Sequence, residues 1–184
     1  MLQHLAEFDL YIEDVVDSTN DYLWNKAKTC KIPTVVIARQ QLQGRGTKGR
    51  RWDSAHHALY MSILITSKKT LLELQNLSTH VAYIIANKLI EITKLDIGIK
   101  LPNDLYIAAK KLGGILIETK ANPQAGIDII IGCGINIEAP LIESVLNSAS
   151  LVEFDVNVDA TELGKELAHT IIVALKSYIY KSKG

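Results

Sequence analysis

The chain has 184 residues, enough for one domain of ordinary size, and 48% of them are hydrophobic, ample for a real core. Lys plus Arg number 20 and Asp plus Glu number 20, so no global positive field recruits nucleic acid. Two cysteines, Cys30 and Cys133, suit a reducing compartment better than a disulfide framework. The N-terminus has no apolar run of signal-peptide form, and no stretch reaches the ~18 apolar residues of a membrane span, so a soluble cytoplasmic protein with no membrane partner is expected.

FDLYIEDVV (8–16) mixes apolar and acidic residues and reads as a first strand. Asp17 and Ser18 then offer N-cap oxygens to a helix through DYLWNKAK, where Tyr22, Leu23 and Lys26 fall at helical spacing. TVVIARQ (34–40) and ALYMSILIT (58–66) read as buried strands. LLELQNLSTHVAYIIANKLIEITKL (71–95) lacks proline and glycine and repeats apolar residues every three to four positions, the pattern of one long, largely buried helix. Pro102 in GIKLPND forces Leu101 into extended backbone, and LYIAAKKLGGILIET alternates into a strand pair. ANPQAG (121–126) is a turn by composition, and IDIIIGCGINI (127–137) is a buried strand broken by Gly132 and Gly134. Helix returns in TELGKELAHTIIVALKSYIYK (161–181), with Asp159 as a cap. Strands in the middle and helices outside them predict one α+β domain over 1–184, a single mixed β-sheet flanked by helices.

Between the second and third of these strands lies a connection of about 17 residues, beyond the ~12–15 at which unstructured loops become uncommon and usually functional. It contains QLQGRGTKGRRW. Glycines let backbone N–H groups approach a ligand closely, successive N–H groups form an anion-binding concavity, and arginines add planar bidentate donors for phosphate or carboxylate. The segment lacks the Lys-Ser/Thr pair of a P-loop. Gly44, Gly46 and Gly49 have G-x-G-x-x-G spacing, but RRWDS makes a poor helix start. On composition alone the loop is equally well a solvated basic turn.

Five stretches in chain order change that balance: Ser18-Thr19-Asn20 at a strand-to-helix junction, QLQGRGTKGRRW, KLPND, KLGGILIE and GCGIN. They resemble the catalytic domain of the bacterial biotin protein ligases, whose signatures are S-T-N, Q-x-x-G-R-G-R-x-G-R-x-W, K-W-P-N-D, K-x-x-G-I-L-x-E and G-x-G-I-N. The resemblance spans residues 17–137. It implies a fold like that of the class II aminoacyl-tRNA synthetases and biotin ligases, and a two-step reaction using biotin, ATP and Mg²⁺. Biotin is activated as biotinyl-5′-AMP and transferred to one lysine of the biotin carboxyl carrier protein of acetyl-CoA carboxylase. Two anions must be brought together, which calls for fixed cations and N–H dipoles. The acyl-adenylate hydrolyses readily, so the basic loop is expected to fold over it.

By motif match, Ser18, Thr19, Asn20 and Gln41 are expected at the ureido ring of biotin, although Ser18 and Thr19 also read as a plain helix cap. Gly44, Arg45, Gly46 and Thr47 are expected along the valeryl chain and adenylate phosphate. Lys111 is the leading electrostatic catalyst, at the carboxylate and α-phosphate, with Arg45 beside it in a catalytic role. Gly114, Gly132 and Gly134 are expected to leave room for ligand. Arg50, Trp52, Asn103, Asp104 and Asn136 are assigned to the ATP side. Trp52 is a wall for adenine or a core aromatic, and Asp104 is a Mg²⁺ ligand or a turn carboxylate. His56 and His57 read as surface residues outside any metal cage, and Cys133 as a packing residue and not a nucleophile.

Two departures stand out. Thr47 replaces an arginine that the resemblance links to retention of the adenylate, so readier release of biotinyl-AMP is expected. Leu101 replaces a tryptophan, a change of packing more than chemistry. No helix-turn-helix precedes the first strand and the small terminal β-barrel of the family is not evident, so no nucleic-acid partner is expected; a homodimer is compatible. The rival readings are a lipoate or octanoate transferase, whose R-R-x-x-G-G-G is absent here, and a non-catalytic biotin- or nucleotide-binding module.

Overall fold

The computed structural model describes residues 2–5, 7–29, 33–52, 57–138 and 147–180. Among these residues eight strands form one sheet: β1 (Leu2–His4), β2 (Asp9–Val16), β3 (Thr34–Gln41), β4 (Ala58–Ser67), β5 (Gly98–Lys100), β6 (Asp104–Ile107), β7 (Lys110–Asn122) and β8 (Gly126–Asn136). Their spatial order is β1-β2-β3-β4-β8-β7-β6-β5. The β2–β3 pair is parallel and every other pair is antiparallel. Parallel neighbours require a crossover, and helix α1 (Thr19–Lys26) supplies it. The expected single mixed sheet with flanking helices is thus observed.

Side-chain alternation explains the layers. On one face of the sheet, β8 directs Ile129, Ile131, Cys133 and Ile135 into the main core, against helices α2 (Leu77–Thr93) and α3 (Ala160–Tyr180). The helix–sheet approach is close: a Cβ on Gly164 of α3 would stand 2.7 Å from Ile37 and 2.9 Å from Leu59. On the other face, α1 lays Leu23 over Val36, Leu64 and Ile130 as a second, smaller cluster. Strand β4, covered on both faces, is consequently buried along nearly all its length.

Several boundaries differ from the sequence reading. Strands β1 and β5 have three residues each, too few for a legible period. The long helix begins at Leu77 and not at Leu71. Thr70 and Glu73 exchange capping hydrogen bonds in the turn before it, and Leu71 and Leu72 face solvent at 62% and 74% exposure. Leu101 lies in a turn, and the Leu101–Pro102 bond is cis. Strand β8 runs unbroken through Gly132 and Gly134, because both remain in register with β4 and β7. Asp159 caps α3 as expected, its Oδ1 accepting from the Glu162 N–H at 2.9 Å. Cys30 and His56 lie outside the described residues.

Candidate active site

On the α1 face the sheet loses its bulk in one patch. Successive same-face positions of β8 are Ile130, Gly132 and Gly134; across the register Ser62 faces Gly132 and Gly114 faces Gly134. Small residues in adjacent strands carve a trough of about 640 Å³, within the size range of small-molecule sites. The loop after β3 roofs it. Every residue expected at the site lines this cavity except Gly44.

The α1 end carries neutral donors and acceptors, with the Asp21 and Glu118 carboxylates paired to Arg45 beside them. Ser18 is the helix cap, accepting from the Asp21 N–H at 3.5 Å. Gln41 Oε1 accepts from the Thr19 N–H at 2.9 Å and from its hydroxyl at 3.1 Å. The fully buried Ser62 hydroxyl lies 2.8 Å from Thr19 Oγ1 and 2.6 Å from Asn20 Oδ1, and its one proton serves either. Asn20 Nδ2 donates to Glu118 at 3.0 Å, and the Trp24 indole N–H donates to the same oxygen at 2.9 Å. These polar groups are buried but paired, so the network is rigid.

The roof is a folded hairpin. Leu42 and Gln43 extend the pairing to β2, donating to the carbonyls of Val16 and Asp17. The Gly46 N–H donates to Arg50 O at 2.7 Å and the Trp52 N–H to Gly44 O at 2.9 Å. Gly44 is buried at the root of the flap and does not line the cavity. The flap tip turns through Lys48 and Gly49 at φ 59° and 70°. Its arginines are engaged within the protein. Arg45 pairs with Asp21 and Glu118, and these carboxylates, Asp21 first, raise its guanidinium above the ordinary range. Arg50 donates to Thr47 Oγ1 at 3.0 Å, and Arg51 to Leu42 O at 3.3 Å. Arg45 thus lines the cavity at its α1 end, held there by two carboxylates.

The far end is cationic. Lys111 Nζ pairs with Asp104 at 2.6 Å and stands 5.4 Å from the Trp52 ring centroid. Trp52 packs into the space over the glycines: a Cβ on Gly134 would come within 2.8 Å of its ring, and one on Gly114 within 3.3 Å. At Gly132 the neighbour is Asn20. The glycines therefore admit the protein's own side chains, and room for ligand lies beyond them. Trp52 both packs and lines the cavity; its buried indole N–H has no hydrogen-bond partner among the described residues. Asn103 Nδ2 donates to Ile115 O at 3.0 Å. Asn136 Nδ2 donates to Ala149 O at 3.0 Å, tying residues 147–151 to the end of β8, and the Lys111 N–H donates to Asn147 O at 2.8 Å, tying them to the start of β7.

Sequence reasoning missed Asp21, Trp24, Ser62, Tyr106, Glu118, Asn147 and Ser148. Ser62 left a signal, a lone hydroxyl inside an apolar strand, and Glu118 closes a quoted motif; the others left none. His57 is exposed beside Glu138. Burial pushes the Cys133 thiol up to about 12, which removes it as a nucleophile at neutral pH. Among the described residues no helix is long and apolar enough to cross a membrane.

A mixed sheet that roofs a polar-to-cationic trough with a glycine-rich basic hairpin defines the class. Residues 12–136 match the biotin/lipoate A/B protein ligase family, and the chain belongs to that family. It is similar to the bifunctional ligase/repressor BirA of Escherichia coli K12, 33% identical over 168 residues that cover 89% of this chain and 52% of that protein. The chain spans about half the length of the curated relatives it matches. The biotin–[acetyl-CoA-carboxylase] ligase of Paracoccus denitrificans is 28% identical over 127 residues, 66% of this chain and 51% of that one. The solved biotin protein ligase of Aquifex aeolicus, in complex with biotin and ATP, superimposes with a TM-score of 0.78 at 30% identity, covering 94% of this chain and 72% of that one.

Proposed function

We propose that the chain activates biotin with ATP as biotinyl-5′-AMP and passes the biotinyl group to one lysine of a biotin carboxyl carrier protein, that of acetyl-CoA carboxylase. The observation that carries this reading is the gradient along one trough. Neutral donors and acceptors at Thr19, Asn20 and Gln41 occupy one end, where Arg45 is neutralised by Asp21 and Glu118, and the Lys111 ammonium, with Asp104 as its partner, stands at the other, under a single basic flap. A cyclic urea bearing an aliphatic tail and a terminal carboxylate has the same order of groups. The relatives above, a ligase holding biotin and ATP among them, support it.

In the first step a biotin carboxylate oxygen bonds to the α-phosphorus of ATP. The bond from that phosphorus to its β-bridging oxygen breaks, and pyrophosphate leaves. Lys111 screens the repulsion between the two anions, exchanging Asp104 for them as partner; a fixed cation is effective here because a shielded site has low dielectric. In the second step the neutral ε-amine of the carrier lysine attacks the acyl carbon. The bond to the AMP oxygen breaks, and the surplus ammonium proton passes to solvent. The flap keeps water from the mixed anhydride in between.

Mg²⁺ enters this reading on the triphosphate. Among the described residues no three His, Cys, Asp or Glu side chains cluster to hold a metal. A phosphate-borne Mg²⁺ needs only one or two carboxylates, and Asp104 is the one the nucleotide end offers. A cytoplasmic location accompanies the reading.

Incubation with ATP, biotin and a carrier domain is expected to add the mass of one biotinyl group to the carrier and to release pyrophosphate. Biotin binding without pyrophosphate release would leave a binding module. Modification by lipoate in place of biotin would move the chain to the lipoate branch of the family.

A further inference from the structure

We infer that Glu118 and Ser62 are positioning residues that fix the direction of one hydrogen-bond chain, Glu118–Asn20–Ser62–Thr19, and so present the Thr19 hydroxyl to the trough as an acceptor. The inference deepens the proposed function, on which it rests for the donor that Thr19 meets, a ureido N–H.

The chain of bonds runs through the scaffold. Thr19 and Asn20 belong to α1, Ser62 to β4 and Glu118 to β7. The Glu118 carboxylate, paired with the Arg45 guanidinium at 3.2 Å, accepts and does not donate. One of its oxygens takes the Trp24 indole N–H at 2.9 Å and Asn20 at 3.0 Å, so the end of Asn20 that faces it is the Nδ2 donor. Asn20 Oδ1 is thereby turned to Ser62. A carbonyl oxygen only accepts, so the 2.6 Å contact uses the one Ser62 proton. Ser62 Oγ then offers Thr19 lone pairs alone, and their 2.8 Å contact is a hydrogen bond when Thr19 donates. The other acceptor beside that hydroxyl, Gln41 Oε1 at 3.1 Å, also belongs to the protein. Asn20 and Ser62 are buried, where a misdirected proton leaves a costly unpaired atom. What Thr19 Oγ1 has left for a ligand in the cavity it lines is a lone pair. That choice favours a ligand bringing an N–H and opposes one bringing an oxygen. Neither Glu118 nor Ser62 lines the cavity, so both act through Asn20.

Two measurements test this. The first needs no ligand. In NMR spectra an Asn20 carboxamide proton is expected downfield of the ordinary asparagine position, as donation to a carboxylate requires. It is expected to stay downfield in Glu118→Gln, whose Oε1 can accept the same two donors, and to return to the ordinary position in Glu118→Leu. The second is calorimetric titration with biotin and with two cyclic carbamates, each carrying oxygen in place of one ureido N–H. Wild type is expected to bind one of the carbamates about tenfold more weakly than biotin, the scale of one hydrogen bond. In Ser62→Ala and Glu118→Leu the Thr19 hydroxyl is free to turn and donate, so that ratio is expected to fall to about two, while Glu118→Gln keeps it at about ten. A merely structural role would weaken all the ligands equally and leave the ratio where it was. Where Glu118→Leu fails to fold, Ser62→Ala decides. An Asn20 signal at the ordinary position in wild type overturns the proposal, as does a ratio unchanged in Ser62→Ala. A chain that binds neither biotin nor the carbamates sinks the proposed function, and the Asn20 signal then decides this inference separately.

Discussion

Gly132→Ala probes how the trough floor is built. A Cβ at this position would stand 2.5 Å from Asn20 Oδ1, 3.2 Å from its Cγ and 3.3 Å from its Nδ2. The carboxamide is only 4% exposed and must leave its place. It then gives up a hydrogen bond with Ser62 at 2.6 Å and a charge-assisted one to Glu118 at 3.0 Å. A neutral bond contributes about 0.5–1.5 kcal/mol and one to a charged group about 1.5–3 kcal/mol, so a loss of about 2–4 kcal/mol is expected. In a domain of this size that lowers Tm by roughly 5–15 °C.

Thermal unfolding and calorimetric titration with biotin and with ATP measure both consequences. In the proposed reading biotin affinity falls at least about tenfold, the scale of one lost charge-assisted bond, while ATP affinity holds. Gly134→Ala is the internal control. Its Cβ would press on the Trp52 ring at 2.8 Å, but Trp52 belongs to the flap and can swing away, so the stability loss is smaller and the effect moves to ATP. A Gly132→Ala protein that melts within about 2 °C of wild type and binds biotin unchanged would refute the claim that this glycine sets Asn20.

Four further outcomes are expected. Lys111→Ala lowers pyrophosphate release by about 10²–10³-fold, the usual scale for removing one electrostatic stabiliser, and a wild-type rate would remove Lys111 from the chemistry. Thr47→Arg reduces random labelling of bystander albumin in the presence of ATP and biotin; equal labelling by both proteins would dispose of adenylate leakage at Thr47. Ala108 and Ala109 hold φ 48° and 66° in the two-residue turn between β6 and β7, where Ile107 pairs with Lys110. Replacing them by Asn-Gly is expected to add about 1 kcal/mol, read from the urea midpoint, because L-residues other than Asn resist this backbone. The Cys133 thiol is raised in the fold from 9.0 to about 12, so its contribution is complete below pH 9 and is lost as pH rises towards 12. The stability of wild type relative to Cys133→Ala should fall by about 1.4 kcal/mol per pH unit across that window, and a difference independent of pH would contradict the burial argument.

The fold was legible where chemistry repeats. β3, β4 and α3 follow their β-branched runs and helical spacing, and Asp159 marks a helix start through its own side-chain bond. It was illegible where pattern and packing part company. Leu71 and Leu72 fit the apolar period of α2 yet face solvent, since a period shows which residues share a face and not whether the chain has begun to wind. The three-residue strands β1 and β5 are defined by their partners, Tyr11 to Asp9 and Tyr106 to Asp104, and by nothing in their own composition.

The site divides in the same way. Motif positions gave the membership of the trough, because glycines and hydroxyls in adjacent strands leave a hollow wherever the register aligns them. Partnerships were another matter. A basic loop in a sequence advertises affinity for anions, yet its nearest anions here are the protein's own, Asp21 and Glu118 for Arg45 and Asp104 for Lys111. Those carboxylates stand 24, 73 and 7 residues from their cations; the first two separations are closed by the fold and the last by the β6–β7 hairpin. The consequence is physical. An unpaired guanidinium or ammonium in a partly dry trough is costly, so each cation is held by a carboxylate that a substrate anion must match or displace. In the proposed reading Lys111, with one carboxylate partner, exchanges it for a substrate anion more readily than Arg45, which has two. In that reading the inequality leaves Lys111 the better placed of the two to meet a substrate anion, a distinction that charge counting along the chain could not make.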